Sequence, residues 1–184
     1  MLLWTMTFTP IIGVVQTEKN DNSQSLLADF AQSLLNAGWN VGGLVQQTTH
    51  SATGPSIMEL VDIRTKERFL ISQPLGKDSS SCCLDPSGLC DSSAVLRREL
   101  STDIDLLIVN KFAVAESEGK GLLQELFLAI EQGVPVLTSV ASRYKDDWGR
   151  LTGGCGQNLP PSIEAMTTWW DRVSATRKTH GAGN

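Results

Sequence analysis

The chain has 184 residues, 41% of them hydrophobic and 19% charged, which suits one globular domain large enough for a three-layer core. Its formal charge of -5 comes from 20 acidic and 15 basic residues, with no long run of either sign. That balance speaks against nucleic acid as the main partner, because neutralising phosphates takes a basic face.

Residues 1–10 hold no basic segment and no small-residue cleavage site. No apolar stretch approaches the ~20 residues that cross a bilayer. A cytoplasmic, reducing setting without membrane insertion is expected. The four cysteines, Cys82, Cys83, Cys90 and Cys155, lack paired C-x-x-C spacing, and His50 and His180 lie far from them in sequence. No metal site is predicted, and folding should need neither metal nor disulfide.

In chain order, the apolar run Ile11 to Val15 reads as a buried strand. The polar loop Gln16 to Ser23 follows it. Leu26, Leu27, Phe30, Ala31, Leu34 and Leu35 then recur at three- and four-residue spacing, the apolar face of a helix that Asn22 or Ser23 can cap and Gly38 ends. "NVGGLVQQ" gives a second strand, whose Gly42-Gly43 suggests close packing. "GPSIMELVDI" and "ERFLISQ" flank the turn Arg64-Thr65-Lys66 as a β-hairpin. After the serine-rich loop "PLGKDSSSCCLDPSG", Asp85-Pro86 starts a helix towards Leu100. "DIDLLIVN" is a nearly all-apolar strand, as in a parallel sheet covered on both faces. Gly121 to Gln132 is helical, "VPVLTSV" is another buried strand, and "YKDDWGRL" is a short helix or turn. Pro160-Pro161 starts a last helix carrying Trp169 and Trp170. Residues 1–176 are read as one domain, with a polar, disordered tail over 177–184.

Alternating strands and helices with one hairpin insertion indicate a three-layer α/β domain with a mainly parallel sheet. Ligands of such sheets bind at the carboxyl ends of the strands, which singles out three segments. The first is the loop after Val15. It stands where a nucleotide-binding protein carries a glycine-rich loop ending in Gly-Lys-Ser/Thr, yet no glycine lies in it and no lysine just precedes the helix. What remains is a helix N-terminus ringed by Thr17, Asn22, Ser23 and Ser25, suited to a small anion or to plain capping. The second is "LLIVNKFAVAESEGKG". Asn110 stands where a magnesium-orienting aspartate would end the strand. Lys111 can neutralise charge, and Glu116 and Glu118 follow on a polar loop, Glu118 being the acid expected to orient Lys111 or a magnesium ion. The third is "LGKDSSSCCLDP", where Ser79, Ser81 and Cys82 could close over a tetrahedral oxyanion through backbone N–H groups and hydroxyls. Alone, it reads as a flexible serine loop.

Taken together and in order, "GGLVQ", "ISQPLG", "CCLDP", "VNKF...E.EGKG", "GVPVLTSV" and "GG...LPP" resemble a bacterial family of unknown function, described as nucleoside-triphosphatase-like and often encoded beside molybdate transport genes. The likeness runs from about Ile11 to Trp170. Family members commonly show Gly-Cys-Arg-Leu-Asp where this chain has Ser81-Cys82-Cys83-Leu84-Asp85, so Cys83 replaces an arginine. The resemblance implies a P-loop-NTPase-like fold with a degenerate phosphate loop, and a context of molybdenum handling. The expected ligand is molybdate or a nucleotide phosphate with magnesium, bound with little or no hydrolysis. A homo-oligomer or a molybdate-related protein is the expected partner. The alternatives are a nucleoside triphosphatase or small kinase using Lys111, and an interaction module with an inactive site that presents Trp169-Trp170.

Overall fold

A computed structural model describes residues 10–18, 23–49, 56–72 and 85–181. Seven strands form one sheet in the order β4-β3-β2-β5-β6-β1-β7. They are β1 (Ile12–Thr17), β2 (Val41–Thr49), β3 (Ile57–Asp62), β4 (Arg68–Leu70), β5 (Leu106–Phe112), β6 (Val136–Ala141) and β7 (Gln157–Leu159). The pairings β1–β6, β1–β7, β2–β5 and β5–β6 are parallel; only β2–β3 and β3–β4 are antiparallel. The hairpin thus extends the sheet at one edge, and a mainly parallel three-layer α/β fold is what forms.

Helix α1 (Ser23–Asn36) and helix α6 (Ile163–Gly181) cover one face. Their Leu27, Phe30, Leu34, Met166, Trp169 and Trp170 pack on Val15, Val41, Ile108 and Leu137. Helices α2 (Pro86–Leu100), α4 (Leu123–Glu131) and α5 (Lys145–Thr152) cover the other, packing on Val14, Leu44, Leu107 and Val109. Strand alternation divides these sets, since successive side chains point to opposite faces. A short α3 (Val114–Ser117) and a 3-10 turn (Ser142–Tyr144) follow β5 and β6.

The local signals explain several boundaries. Asp85 caps α2 by accepting from the Ser87 N–H at 3.0 Å, and Pro86 fills the first helical position. The turn after β3 closes on Asp62, which accepts from Arg64 N at 2.8 Å and Thr65 Oγ1 at 2.7 Å. Arg98 of α2 reaches the same carboxylate at 2.7 Å, pinning the helix to the hairpin. Gly42 and Gly43 do admit close packing: a Cβ would overlap the Glu99 carboxylate at the first and the Ile108 carbonyl at the second.

Three points differ from the sequence reading. Trp169 and Trp170 are both buried, and Trp39 meets Trp170 edge-on at 5.2 Å, so the pair belongs to the core and offers no partner surface. Strand β7 was not foreseen, since three residues are too few for a readable alternation. The segment after β5 is the helical turn α3 and not a polar loop.

Candidate functional site

The carboxyl ends of β1, β6 and β5 lie side by side, with Val15 level with Ser139 across the first pair. Val15, Leu137 and Ile108 all face α1 and α6. Two residues on, the same face presents Thr17 and Ser139, and Ser139 meets the Asn110 side chain there. An apolar surface turns polar as it reaches the edge from which α1 departs.

Ser139 donates its hydroxyl to Asn110 Oδ1 at 2.6 Å. This bond directs the amide, so that Oδ1 is occupied and Nδ2 is the remaining group. Asn110 is 0% exposed, and Nδ2 has no hydrogen-bond partner among the described residues. Buried polar groups are nearly always paired, so an orphaned amide donor at a ligand edge calls for an acceptor. Nearby, Ser142 donates to Glu18 at 2.6 Å and lies 3.2 Å from the Thr17 carbonyl, tying the end of β6 to the end of β1. The first turn of α1 holds no acidic side chain, leaving its partial positive charge uncompensated from within.

Of the residues expected here, Thr17 is buried at the end of β1 and Asn110 is buried near the end of β5. They share a face, two strands apart. Ser23 opens α1, and Ser25 is exposed in its first turn. Lys111 is half-buried inside β5 and does not end it, because Phe112 continues the strand after a register shift against β6. Asn22, Ser79, Ser81 and Cys82 lie outside the described residues.

Glu118 is exposed and pairs with Lys120 at 3.2 Å. Glu116 lies within electrostatic reach of Lys111. Its carboxylate is buried and accepts from Ala113 N at 3.0 Å and Leu122 N at 3.1 Å, closing the turn between β5 and α4. Burial pushes the Glu116 carboxyl above the ordinary glutamate range, against the backbone donors and the Lys111 charge that pull it down. Sequence reasoning missed Ser139 altogether, although an alternating strand "VLTSV" with a hydroxyl at the inward position near its end was a readable signal.

Residues 11–169 match the model of a family described as a protein of unknown function (DUF2478). The chain belongs to that family. This DUF2478 chain is 36% identical over 176 residues to a protein from Bradyrhizobium diazoefficiens named molybdenum import ATP-binding protein ModC 2. The match takes in 93% of the chain but only 20% of that relative's length. Among solved structures, it is similar to the solution structure of a human cancer-related nucleoside triphosphatase, with a TM-score of 0.59 and 10% identity over 95% of this chain and 99% of that one. The crystal structure of THEP1 from the hyperthermophile Aquifex aeolicus is similar at a TM-score of 0.56 and 9% identity, over 83% and 90% of the two chains. At such identities the likeness establishes the fold, an α/β P-loop-like domain, and no activity.

Proposed function

We propose that this DUF2478 chain binds a nucleoside triphosphate by its phosphates, beneath the N-terminus of α1, with little or no hydrolysis. The observation that carries the reading is the orphaned Asn110 Nδ2, buried on the face that α1 covers. An unsatisfied buried donor costs roughly 1–3 kcal/mol, which a phosphate oxygen would offset. The Thr17 hydroxyl and the first N–H groups of α1 are further donors on that side, and Ser25 lies in the same helical turn. Lys111, next to Asn110, contributes positive charge that it shares with Glu116. Ser79, Ser81 and Cys82 remain candidates to close over the ligand.

The two structural neighbours named as nucleoside triphosphatase and THEP1 support a nucleotide through their fold. The relative's name mentions ATP binding and molybdenum import, but either property can belong to the four-fifths of it that this chain does not match. Molybdate is therefore the second reading, since a tetrahedral oxyanion meets the same neutral donors. Among the described residues, no three His, Cys, Asp or Glu side chains cluster as a metal site. A magnesium ion would accordingly arrive on the phosphates, as it commonly does.

Calorimetric titration with magnesium-ATP, magnesium-GTP and molybdate tests the reading. A nucleotide should bind, and Lys111→Ala should weaken it by roughly 1.5–3 kcal/mol, about ten- to a hundredfold. Asn110→Asp exchanges the donor for an acceptor and should weaken it further. Unchanged affinity in both variants would place the site elsewhere. Binding of molybdate alone would replace the nucleotide reading with the small-anion one.

A further inference from the structure

A cavity of about 410 Å³ lies between α2 and the α3–α4 segment. Helices α2 and α4 pack on the face of the sheet opposite α1, so the cavity and the N-terminus of α1 lie on opposite faces. We propose that it is a second binding site, for a small organic anion with an apolar body. It lies within the volume range of small-molecule pockets, about 300–1,000 Å³. Leu89 of α2 and Val114 and Ala115 of α3 supply apolar wall.

The polar lining offers donors to an anion. Arg97 directs two donors, Nε at 2.9 Å and Nη2 at 2.8 Å, to the single oxygen Oε1 of Glu125, and its Nη1 takes part in neither bond. Lys120 spends one ammonium hydrogen on Glu118 at 3.2 Å. Both carboxylates of the lining are thus already neutralised, while both cations keep donors to offer. A carboxylate, sulfonate or phosphate meets unspent N–H groups of Arg97 and Lys120 there.

Cys90, exposed on the cavity wall, reports occupancy. The probe is 8-anilinonaphthalene-1-sulfonate, compared with N-phenyl-1-naphthylamine, which has the same rings without the sulfonate. Alkylation of the full chain by iodoacetamide is followed at Cys90 and Cys155 by peptide mass spectrometry. The sulfonate should protect Cys90 saturably and leave Cys155 unprotected. Half-protection by the neutral dye should need about tenfold more, the value of one charge-assisted contact. Ser93 lines the cavity and donates only to the Cys90 carbonyl, at 2.7 Å, so Ser93→Trp should fill the space and abolish protection with the circular dichroism unchanged. Should that variant fail to fold, Gln124→Trp, from an exposed lining residue, replaces it. Alkylation of Cys90 at an undiminished rate, equal protection by the neutral dye, or full protection in a folded filled variant would each overturn the proposal.

Discussion

Glu116 and Asp62 show two buried carboxylates tuned in opposite directions. At Asp62, burial pushes the carboxyl up, but Arg98, Thr65 and the Arg64 and Thr65 N–H groups outweigh it, and the group sits below the ordinary aspartate range. Its stabilising contribution is present above the unfolded pKa and is lost as pH falls through the folded one. At Glu116 burial wins over the donors. Its contribution is fully present below the unfolded pKa, near ~4.3, and is lost as pH rises through the folded value. Carboxyl carbon NMR should therefore find Glu116 titrating above ordinary glutamate, and Lys111→Ala should raise it again by removing a nearby positive charge. A Glu116 midpoint unmoved by the variant would separate the two side chains and weaken the case for Lys111 at the site. The stretch Glu116-Ser117-Glu118-Gly119 reads as uniformly polar, which is why the sequence did not distinguish the two acids. Only the spacing from Ala113 to Glu116, three residues as in a capping box, hinted at which one turns inward.

Among the elements, the most readable were those whose signals are local. The α1 face, the Asp85-Pro86 start of α2 and the hairpin around Arg64-Thr65-Lys66 all rest on residues within a turn of one another. Gly43 is a case where the local signal had a non-local cause. It has φ of 123°, a backbone conformation that side chains disfavour, and it abuts the Ile108 carbonyl of the neighbouring strand β5. Gly43→Ala cannot be absorbed by a side-chain rotation, because the obstacle is backbone. Strain of about 1–3 kcal/mol from the dihedral alone, plus displacement of β5, should lower stability by at least ~3 kcal/mol. For a domain of this size that is a melting point about 6–12 °C lower, or failure to fold. A melting temperature within ~2 °C of the parent would mean that β2 and β5 can part without cost. Since β5 carries Asn110, the same variant that folds should also bind nucleotide less well.

For the molecule as a whole, the alternation of strands and helices was enough to give the layers, but not the strand order. That β6 lies between β5 and β1 depends on contacts far apart in sequence, and this neighbour relation is what lets Ser139 reach Asn110. The candidate site was half legible for the same reason: Thr17 and Asn110 stand out at strand ends, whereas Ser139, which bonds Asn110, needs the sheet. This arrangement also bears on chemistry. Phosphoryl transfer rests on positioning the γ-phosphate, neutralising its charge and orienting the attacking water. Of the groups placed at the edge, Asn110 and Thr17 are neutral donors that would hold an anion in its ground state as well as in its transition state, and uniform binding does not accelerate a reaction. Glu116, the acid beside Lys111, is committed to the Ala113 and Leu122 N–H groups and would have to abandon both to act as a base. Phosphate release from saturating magnesium-ATP or magnesium-GTP should consequently stay well below ~1 per second, the lower end for working enzymes. The informative control is Lys111→Ala. Turnover at or above ~1 per second that this variant abolishes, with its melting temperature preserved, would make the chain a triphosphatase or small kinase in which Lys111 replaces the lysine missing from the first loop.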